Sequence, residues 1–131
     1  MNSQARPASR PQGAGFPRAV RLLKHADFDN VYQNGRRHFA AHMTVFFFRR
    51  TADGPRVGFT VGRALGGSVE RNRIRRRLRE AVRRHLPELA APVDVVINPK
   101  RSALQADFEL LADEVARAFE KINREAARER G

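Results

Sequence analysis

Residues 70–85 read ERNRIRRRLREAVRRH, and this stretch decides how the rest of the chain is interpreted. It contains eight arginines and two glutamates. The apolar residues within and just after it recur at steps of three and four, which places them in one stripe of an α-helix. The stripe consists of Ile74, Leu78, Ala81, Val82 and Leu86. The sequence therefore predicts a helix that packs by one face and presents guanidinium groups on the other.

The opposite face of this helix carries Asn72, Arg76, Arg79 and Arg83. Like charges at this spacing repel one another, and a bound polyanion would offset that cost. The competing interpretation is a solvated charge face without a partner. Because the whole chain has a formal net charge of +12, nucleic acid is the favoured partner. An anionic membrane is the weaker alternative, since the apolar stripe lacks an aromatic residue and no apolar run is long enough to span a bilayer.

The remaining composition argues against an active site borne by the protein itself. The chain has no cysteine, which excludes disulfides and thiolate metal sites. Its four histidines lack the spacing of metal ligands, and no nucleophile or phosphate-loop motif occurs. We therefore expect no catalytic residue and no metal site. The first residues lack the apolar segment of a signal peptide, which predicts a cytoplasmic location.

The length of 131 residues fits a single domain. Residues 1–18 combine three prolines with three arginines and no acid, a composition that predicts a flexible basic arm. Residues 19–124 are predicted to form one α/β domain. Residues 125–131 are predicted to be a frayed tail.

Periodicity within the domain predicts its secondary structure in the order α-β-β-α-β-α. A first helix runs from His25 to Gln33, with Asn34-Gly35 ending it because these residues tolerate positive φ. A single strand is expected over 38–50, with Phe39 and Phe47 in the core. A turn at 52–55 then leads into the returning strand of a hairpin, residues 56–63.

The second half of the pattern contains the basic helix, a buried strand and a last helix. Ser68 is expected to cap the basic helix and Pro87 to end it. The apolar run 93–97 predicts a buried strand. Ser102 or Asp107 is expected to cap the last helix, whose buried stripe is Phe108, Leu111, Val115, Phe119 and Ile122. Together these elements predict a two-layer α/β (α+β) sandwich.

The stretch RVGFTVGRALGGSVERNRIRRRLREAVR, residues 56–83, resembles the protein subunit of bacterial ribonuclease P. The resemblance rests on the Arg71-Asn72-Arg73 opening of the basic helix. It extends upstream through RLLKHADFDNVYQNG, residues 21–35, and downstream through the VDVVI strand. In total it covers about residues 18–123.

The resemblance implies a fold like domain 2 of ribosomal protein S5, with a left-handed β-α-β crossover that carries the basic helix. General rules would favour a right-handed crossover. The resemblance also implies a role in tRNA processing, the removal of the 5′ leader from precursor tRNA. The RNA subunit performs the hydrolysis with Mg²⁺ that it mainly holds itself, so the protein is the accessory subunit of an endonuclease. The expected partners are the ribonuclease P RNA subunit and precursor tRNA, with no membrane and no further protein required.

Two sets of site residues follow from the resemblance. The set expected to contact the catalytic RNA is Arg71, Asn72, Arg73, Arg75, Arg76 and Arg79, of which the arginines suit phosphate oxygens. The set expected to receive the leader in a cleft is Phe28, Tyr32, Phe46, Thr60 and Arg63. Aromatic rings stack on unpaired bases at about 1–3 kcal/mol each. The competing interpretation of the two phenylalanines is ordinary core.

The turn before the basic helix departs from the family pattern. Gly62, Ala64 and Gly67 replace polar or basic residues there, so Arg63 alone carries charge. Extra arginines at 77, 83 and 84 add positive charge with no evident target.

Two other functions need the same basic face. A structural protein that binds ribosomal RNA would have the face but no leader cleft. A protein that binds duplex DNA would place the helix in a major groove. The helix lacks dimerising heptads, and its packing on a sandwich makes it awkward for reading a groove.

Overall fold

A computed structural model describes residues 2–3, 5–6, 20–22, 24–50 and 54–130, without the side chains of 2–3, 5–6, 129 and 130. Most of the predicted basic arm therefore lies outside the described residues. Within the arm, Asn2–Ser3 and Ala5–Arg6 form two short strands that pair with each other. The flexibility of the arm stays a prediction.

The domain contains three helices and a four-stranded sheet within residues 24–130. The helices are α1 (His25–Asn34), α2 (Ser68–His85) and α3 (Phe108–Arg130). The strands are β1 (Arg36–Phe39), β2 (Met43–Arg49), β3 (Arg56–Phe59) and β4 (Val93–Pro99). Short 3₁₀ turns lie at Arg63–Leu65, Leu86–Glu88 and Arg101–Leu104. None of these helices is long and apolar enough to cross a bilayer.

The sheet order is β1-β2-β4-β3, with β3 and β4 parallel and the other neighbours antiparallel. The basic helix α2 lies between the two parallel strands in sequence, as the resemblance implies. The predicted hairpin between residues 38–50 and 56–63 is wrong, because β4 separates β2 from β3. Since β4 has partners on both edges and is covered on both faces, it is buried along nearly its whole length.

The predicted strand over 38–50 is two strands, which makes the element order α-β-β-β-α-β-α. Three residues, 40–42, join β1 to β2, with Ala41 and His42 at the tip of the loop, and the Ala40 N–H donates to the Met43 carbonyl across it (2.9 Å). This loop reverses the chain, so Phe39 lies opposite Thr44 and not in the core. With 69% of its surface exposed, Phe39 contradicts the core prediction, whereas Phe47 (4%) confirms it.

The sheet and the pair α2 and α3 form the two main layers of the predicted sandwich. Their core comprises alternate residues of the sheet (Met43, Val45, Phe47, Val57, Val93, Val95, Ile97) and the stripes of both helices (Ile74, Leu78, Val82, Leu111, Val115, Phe119, Ile122). The helix α1 covers part of the opposite sheet face through a smaller cluster of Leu22, Val31 and Val96. The α/β class is thus confirmed, with one sheet face only partly covered.

Two predicted helix ends need correction, whereas one of the two predicted caps of the last helix is confirmed. Gly67 precedes the first residue of α2, so Ser68 is inside the helix and makes no side-chain cap. Asp107 caps α3 through the N–H of Glu109 (3.2 Å). The helix then continues to Arg130 in place of the expected frayed tail, because Ala126 is buried against the core and Glu125 pairs with Arg36 of β1.

Gly35 ends α1 for a different reason from the predicted one. Its φ is −84°, an ordinary value for any residue. A side chain there would place its Cβ 2.5 Å from the Val31 carbonyl oxygen and 2.6 Å from that of Phe47. Glycine is therefore required by the close approach of α1 to β2 and not by a left-handed conformation.

Candidate nucleic-acid interface

The apolar stripe of α2 determines which of its arginines face outward. Ile74, Leu78, Ala81 and Val82 have no exposed surface and pack in the main core. Side chains three and four residues apart share a face of a helix, so burial of this stripe leaves Asn72, Arg76 and Arg79 exposed on the opposite face. The predicted stripe and the predicted polar face are both confirmed, and Pro87 follows the end of the helix as expected.

Three of the four arginines of α2 that have acceptors within the described part of the protein are Arg77, Arg83 and Arg84. Arg77 donates to the backbone carbonyl of Ala106. Arg83 donates to both carboxylate oxygens of Glu80, and these hydrogen bonds hold the pKa of Glu80 below its usual value. Arg84 reaches Glu109 of α3 (3.0 Å) and lies 4.7 Å from the ring centre of Phe108. These are the extra arginines that had no evident target in the sequence.

The predicted RNA-binding arginines differ from these three. Arg71, Arg73, Arg76 and Arg79 form no ion pair with any carboxylate among the described residues. Arg75 is intermediate, because it donates to the Asn72 side-chain oxygen (2.9 Å) and to the Val61 carbonyl (3.5 Å). Arg77, Arg83 and Arg84 are thus used by the fold, whereas Arg71, Arg73, Arg76 and Arg79 are left for another partner.

A shallow open groove runs along the unpaired part of α2. It has a volume of about 480 Å³ and is lined by Val69, Asn72, Arg75, Arg76 and Arg79. Four of the six residues predicted to contact RNA therefore come together around one concavity, while Arg71 and Arg73 do not line it. Guanidinium groups around an open groove suit an extended polyanion better than a small buried anion.

The second predicted site lies on the other face of the sheet, where α1 crosses it. Val31 is fully buried against Val96, and Phe28 packs beside it. Phe28 fits only because residue 58 is glycine, since a Cβ there would lie 2.5 Å from the Phe28 ring. Phe28 is therefore held tightly against the sheet, which makes it as much a core residue as a cleft residue.

Tyr32 is the most clearly defined residue of this cleft. Its hydroxyl donates to the Asn98 side-chain oxygen (2.8 Å) and accepts from the Thr60 hydroxyl (2.6 Å). Its ring meets that of Phe46 edge to face, with the ring centres 5.0 Å apart. Arg37 lies 5.7 Å from the centre of the same Phe46 ring. The cleft thus presents aromatic edges, hydroxyl and amide groups and a cation on a half-covered sheet face.

Four of the five predicted cleft residues come together in this way: Phe28, Tyr32, Phe46 and Thr60. Arg63 does not join them, because it lies in the exposed 3₁₀ turn that leads to α2. Sequence reasoning missed Asn98 and Arg37. Asn98 and Asp94 are the two polar residues of β4, and strand alternation places both on the same face as Val96. That alternation is the signal that could have found Asn98.

A buried ion cluster fixes the start of α1 on the sheet. Asp94 of β4 is only 3% exposed and accepts two hydrogen bonds from Arg56 (2.9 and 2.8 Å). Arg50 lies 3.3 Å from the same carboxylate, and Arg56 also contacts Asp27 of α1 (3.3 Å). The hydrogen bond with Asp94 raises the pKa of Arg56, which is therefore always charged. The cluster ties α1, β3 and β4 together beside the cleft.

No group of three or more histidine or carboxylate side chains within the described ranges could hold a metal ion. His42 is bound by residues that follow β4 and by α3. Its backbone N–H donates to Glu114 (3.0 Å) and its ring contacts the Ser102 hydroxyl (2.8 Å).

Comparison with known proteins gives a consistent family match. A family model described as Ribonuclease P matches residues 16–123. The ribonuclease P protein component of Acidothermus cellulolyticus is 38% identical over 109 residues, which cover 82% of this chain and 91% of that one. That of Chloroflexus aggregans is 45% identical over 99 residues, covering 70% and 73%.

Two solved structures share the fold. The RNase P protein of Staphylococcus aureus superposes with a TM-score of 0.68 at 25% identity, covering 81% of this chain and 96% of that chain. The RNase P protein of Thermotoga maritima superposes with a TM-score of 0.70 at 24% identity, covering 77% and 96%. The basic helix and the cleft therefore lie within the part of the chain that these proteins share.

Proposed function

We propose, from the premise that this chain belongs to the ribonuclease P protein component family, that it is the RNA-binding subunit of a ribonucleoprotein that removes the 5′ leader of precursor tRNA. Its partners are then a ribonuclease P RNA and precursor tRNA. A cytoplasmic location follows from this proposed role. The endonuclease activity belongs to the assembled particle, with the protein as its accessory subunit.

The groove on α2 is proposed to bind the catalytic RNA. Arg76 and Arg79 lack internal acceptors among the described residues and flank Asn72, which can donate to a phosphate and accept from a 2′-hydroxyl. Each guanidinium fork matches two phosphate oxygens. Because Arg77, Arg83 and Arg84 are occupied by the fold, their contribution to RNA binding is expected to be smaller.

The aromatic cleft is proposed to hold the single-stranded leader. Stacking on Tyr32 and Phe46 requires no particular base, which suits an enzyme that must accept leaders of varied sequence. Hydroxyl and amide groups at Thr60 and Asn98 offer hydrogen bonds to sugar or base edges. This cleft is the observation that carries the proposal, because a structural ribosomal-RNA-binding protein needs the basic face alone.

The hydrolysis is proposed to occur in the RNA subunit. The described side chains contain no carboxylate or histidine cluster that fits Mg²⁺. We therefore propose that Mg²⁺ is held mainly by RNA oxygens, and we derive no chemical step through a protein residue. The part played by the basic side chains is to position RNA and to reduce repulsion between phosphates.

The first test is reconstitution of the activity. The purified chain is added to a bacterial ribonuclease P RNA at low Mg²⁺, and the release of the leader is followed. We expect cleavage with both components and none with the chain alone. If the chain does not stimulate cleavage by the RNA, the proposed function is wrong, and the alternative of a structural ribosomal-RNA-binding protein replaces it.

A second test separates the cleft from the core with matched variants. Phe46 and Phe48 lie on the same strand and the same sheet face, and both pack against the small cluster beneath α1. Phe48 is on the side away from Tyr32, opposite Asp94. Phe46→Leu is expected to weaken binding of precursor tRNA but not of mature tRNA, because a leucine keeps the volume and loses the stacking face. Phe48→Leu serves as the control and should leave the two affinities in their wild-type ratio.

A further inference from the structure

Phe39 is a large apolar side chain with most of its surface in solvent (69% exposed). It is the last residue of the edge strand β1 and lies opposite Thr44 of β2. Thr44 in turn lies opposite Asn98 of β4. Because paired residues point to the same face of a sheet, Phe39 is on the cleft face and not on the core face.

The cleft therefore extends across the whole sheet. One row of side chains, from edge to edge, is formed by Phe39, Thr44, Asn98 and Thr60. Four neighbouring strands span about 14 Å at the usual strand spacing. Tyr32 of α1 hydrogen-bonds to this row at Asn98 and Thr60, whereas Phe39 at the other end is mostly exposed, so the Phe39 end stays open.

The open end of the row has the chemistry of a site for single-stranded nucleic acid. Phe39 provides an accessible ring, and Arg37, two residues earlier on β1, already lies against the Phe46 ring. Lys100 adds a second cation near the β1–β2 loop, where its ammonium donates to the Ala40 carbonyl (3.4 Å). Accessible aromatic rings beside positive charge favour unpaired bases and their phosphates.

A protein strand is the less suitable occupant of this edge. β1 is short and carries Arg36 and Arg37, and charged residues on a short edge strand oppose the addition of another strand. Charge complementarity therefore points to RNA.

The orientation of the row relative to α2 gives Phe39 a defined place along the leader. Its Thr60 end continues directly into the Arg63–Leu65 turn and then into α2, whose groove is the proposed contact with the catalytic RNA. Its Phe39 end lies at the opposite edge of the sheet. A strand of RNA that follows the row thus reaches Phe39 farthest from the catalytic RNA.

We infer that Phe39 is a stacking site for one additional leader nucleotide, beyond those held at Tyr32 and Phe46. The inference rests on the proposed leader function of the cleft. Phe39 affects affinity only when the leader is long enough to cross the sheet, whereas Tyr32 acts on shorter leaders as well. The affinity for precursor tRNA then depends on leader length through the Phe39 end of the cleft.

The test measures how tightly the assembled particle binds precursor tRNAs whose leaders are lengthened one nucleotide at a time. For the wild type we expect affinity to rise in steps. For Phe39→Ala we expect the last step to disappear, a loss of about 5-fold for long leaders and none for short leaders or mature tRNA. Phe39→Trp should restore the step, and Phe39→Leu should not, because leucine is apolar but has no stacking face.

Leu110→Ala is the matched control, since Leu110 is the other comparably exposed large side chain away from both sites (51% exposed). Wild-type behaviour of Phe39→Ala at every leader length would overturn the inference while leaving the leader function intact. An equal loss on all RNAs, mature tRNA included, would also overturn it by showing a structural role. A wild-type particle that ignores the leader altogether would refute the proposed function itself, and the inference with it.

Discussion

Alanine at both Arg76 and Arg79 should weaken binding to the catalytic RNA and change how that binding depends on salt. Both side chains line the α2 groove and have no carboxylate partner in the described part of the chain. Each guanidinium that neutralises a phosphate releases counterions, which contributes about 0.7 to 0.9 to the slope of log affinity against log salt. Loss of two contacts should therefore flatten the slope by about 1.4 to 1.8.

The same helix supplies a control that removes the same charge. Arg83→Ala with Arg84→Ala also deletes two positive charges from α2, but these arginines already pair with Glu80 and Glu109. If contact with phosphate and not total charge determines binding, this second pair of substitutions should change the slope much less. Thermal unfolding of both double variants would check that each is folded.

The assay is equilibrium binding of the purified chain to a ribonuclease P RNA over a series of salt concentrations at constant Mg²⁺. Equal slopes for the two double variants would refute the division of the arginines into a structural and a binding set. An unchanged slope for Arg76→Ala with Arg79→Ala would remove the groove from the RNA interface.

Three further predictions concern stability. Gly35→Ala should destabilise the domain by about 1 to 3 kcal/mol in urea unfolding because its Cβ meets two backbone oxygens, whereas Gly62→Ala, with nothing within 4 Å, should be neutral or slightly stabilising. Asp94→Ala should cost about 1 to 3 kcal/mol by removing the carboxylate that Arg50 and Arg56 share, less than for a fully buried pair because both arginines are partly exposed and Arg56 keeps Asp27; a double variant with Arg56→Leu that is no more stable would contradict this reason. Burial lowers the pKa of His38 from its ordinary 6.5, so the unfolded chain binds more protons and wild-type stability should fall as pH drops just below 6.5. His38→Asn should flatten that fall, and an unchanged pH profile would count against it.

The elements with a regular pattern were predictable from the sequence. The apolar stripe of the basic helix recurs over about three and a half turns, from Ile74 to Leu86, and the run 93–97 is short and lies between two prolines, so both are correct in the structure. The α3 stripe is likewise correct, from Leu111 to Ile122.

The division of one predicted strand into two was not predictable by the same means. The loop Ala41-His42 contains no glycine, proline or asparagine, and the apolar alternation continues across it. The face of Phe39 depends on this loop, which is why a cleft residue was assigned to the core. The pairing of β3 with β4 agrees with the crossover that the resemblance implies, but periodicity alone does not reveal it, because it favours neighbours along the chain and so predicts a hairpin of β2 with β3.

The two proposed sites likewise differ in how far the sequence alone predicts their residues. The α2 face follows from local periodicity, so its exposed residues could be named in advance. The acceptors that occupy Arg77 and Arg84 lie on α3 or just before it, and only the tertiary fold brings them together. Likewise the Tyr32 hydroxyl meets Asn98 from a strand 66 residues later in the chain.

The central position of β4 has a consequence for biosynthesis. Until residues 93–99 leave the ribosome, β3 has no strand to pair with and only the β1–β2 hairpin can form. The arginines of α2 are made earlier, and their charge does not depend on a finished sheet. A nascent chain can therefore attract a polyanion before its sheet is complete. The helix α3 is made later still and supplies Leu111, Val115, Phe119 and Ile122 to the core, so the domain is completed only when this helix has also left the ribosome.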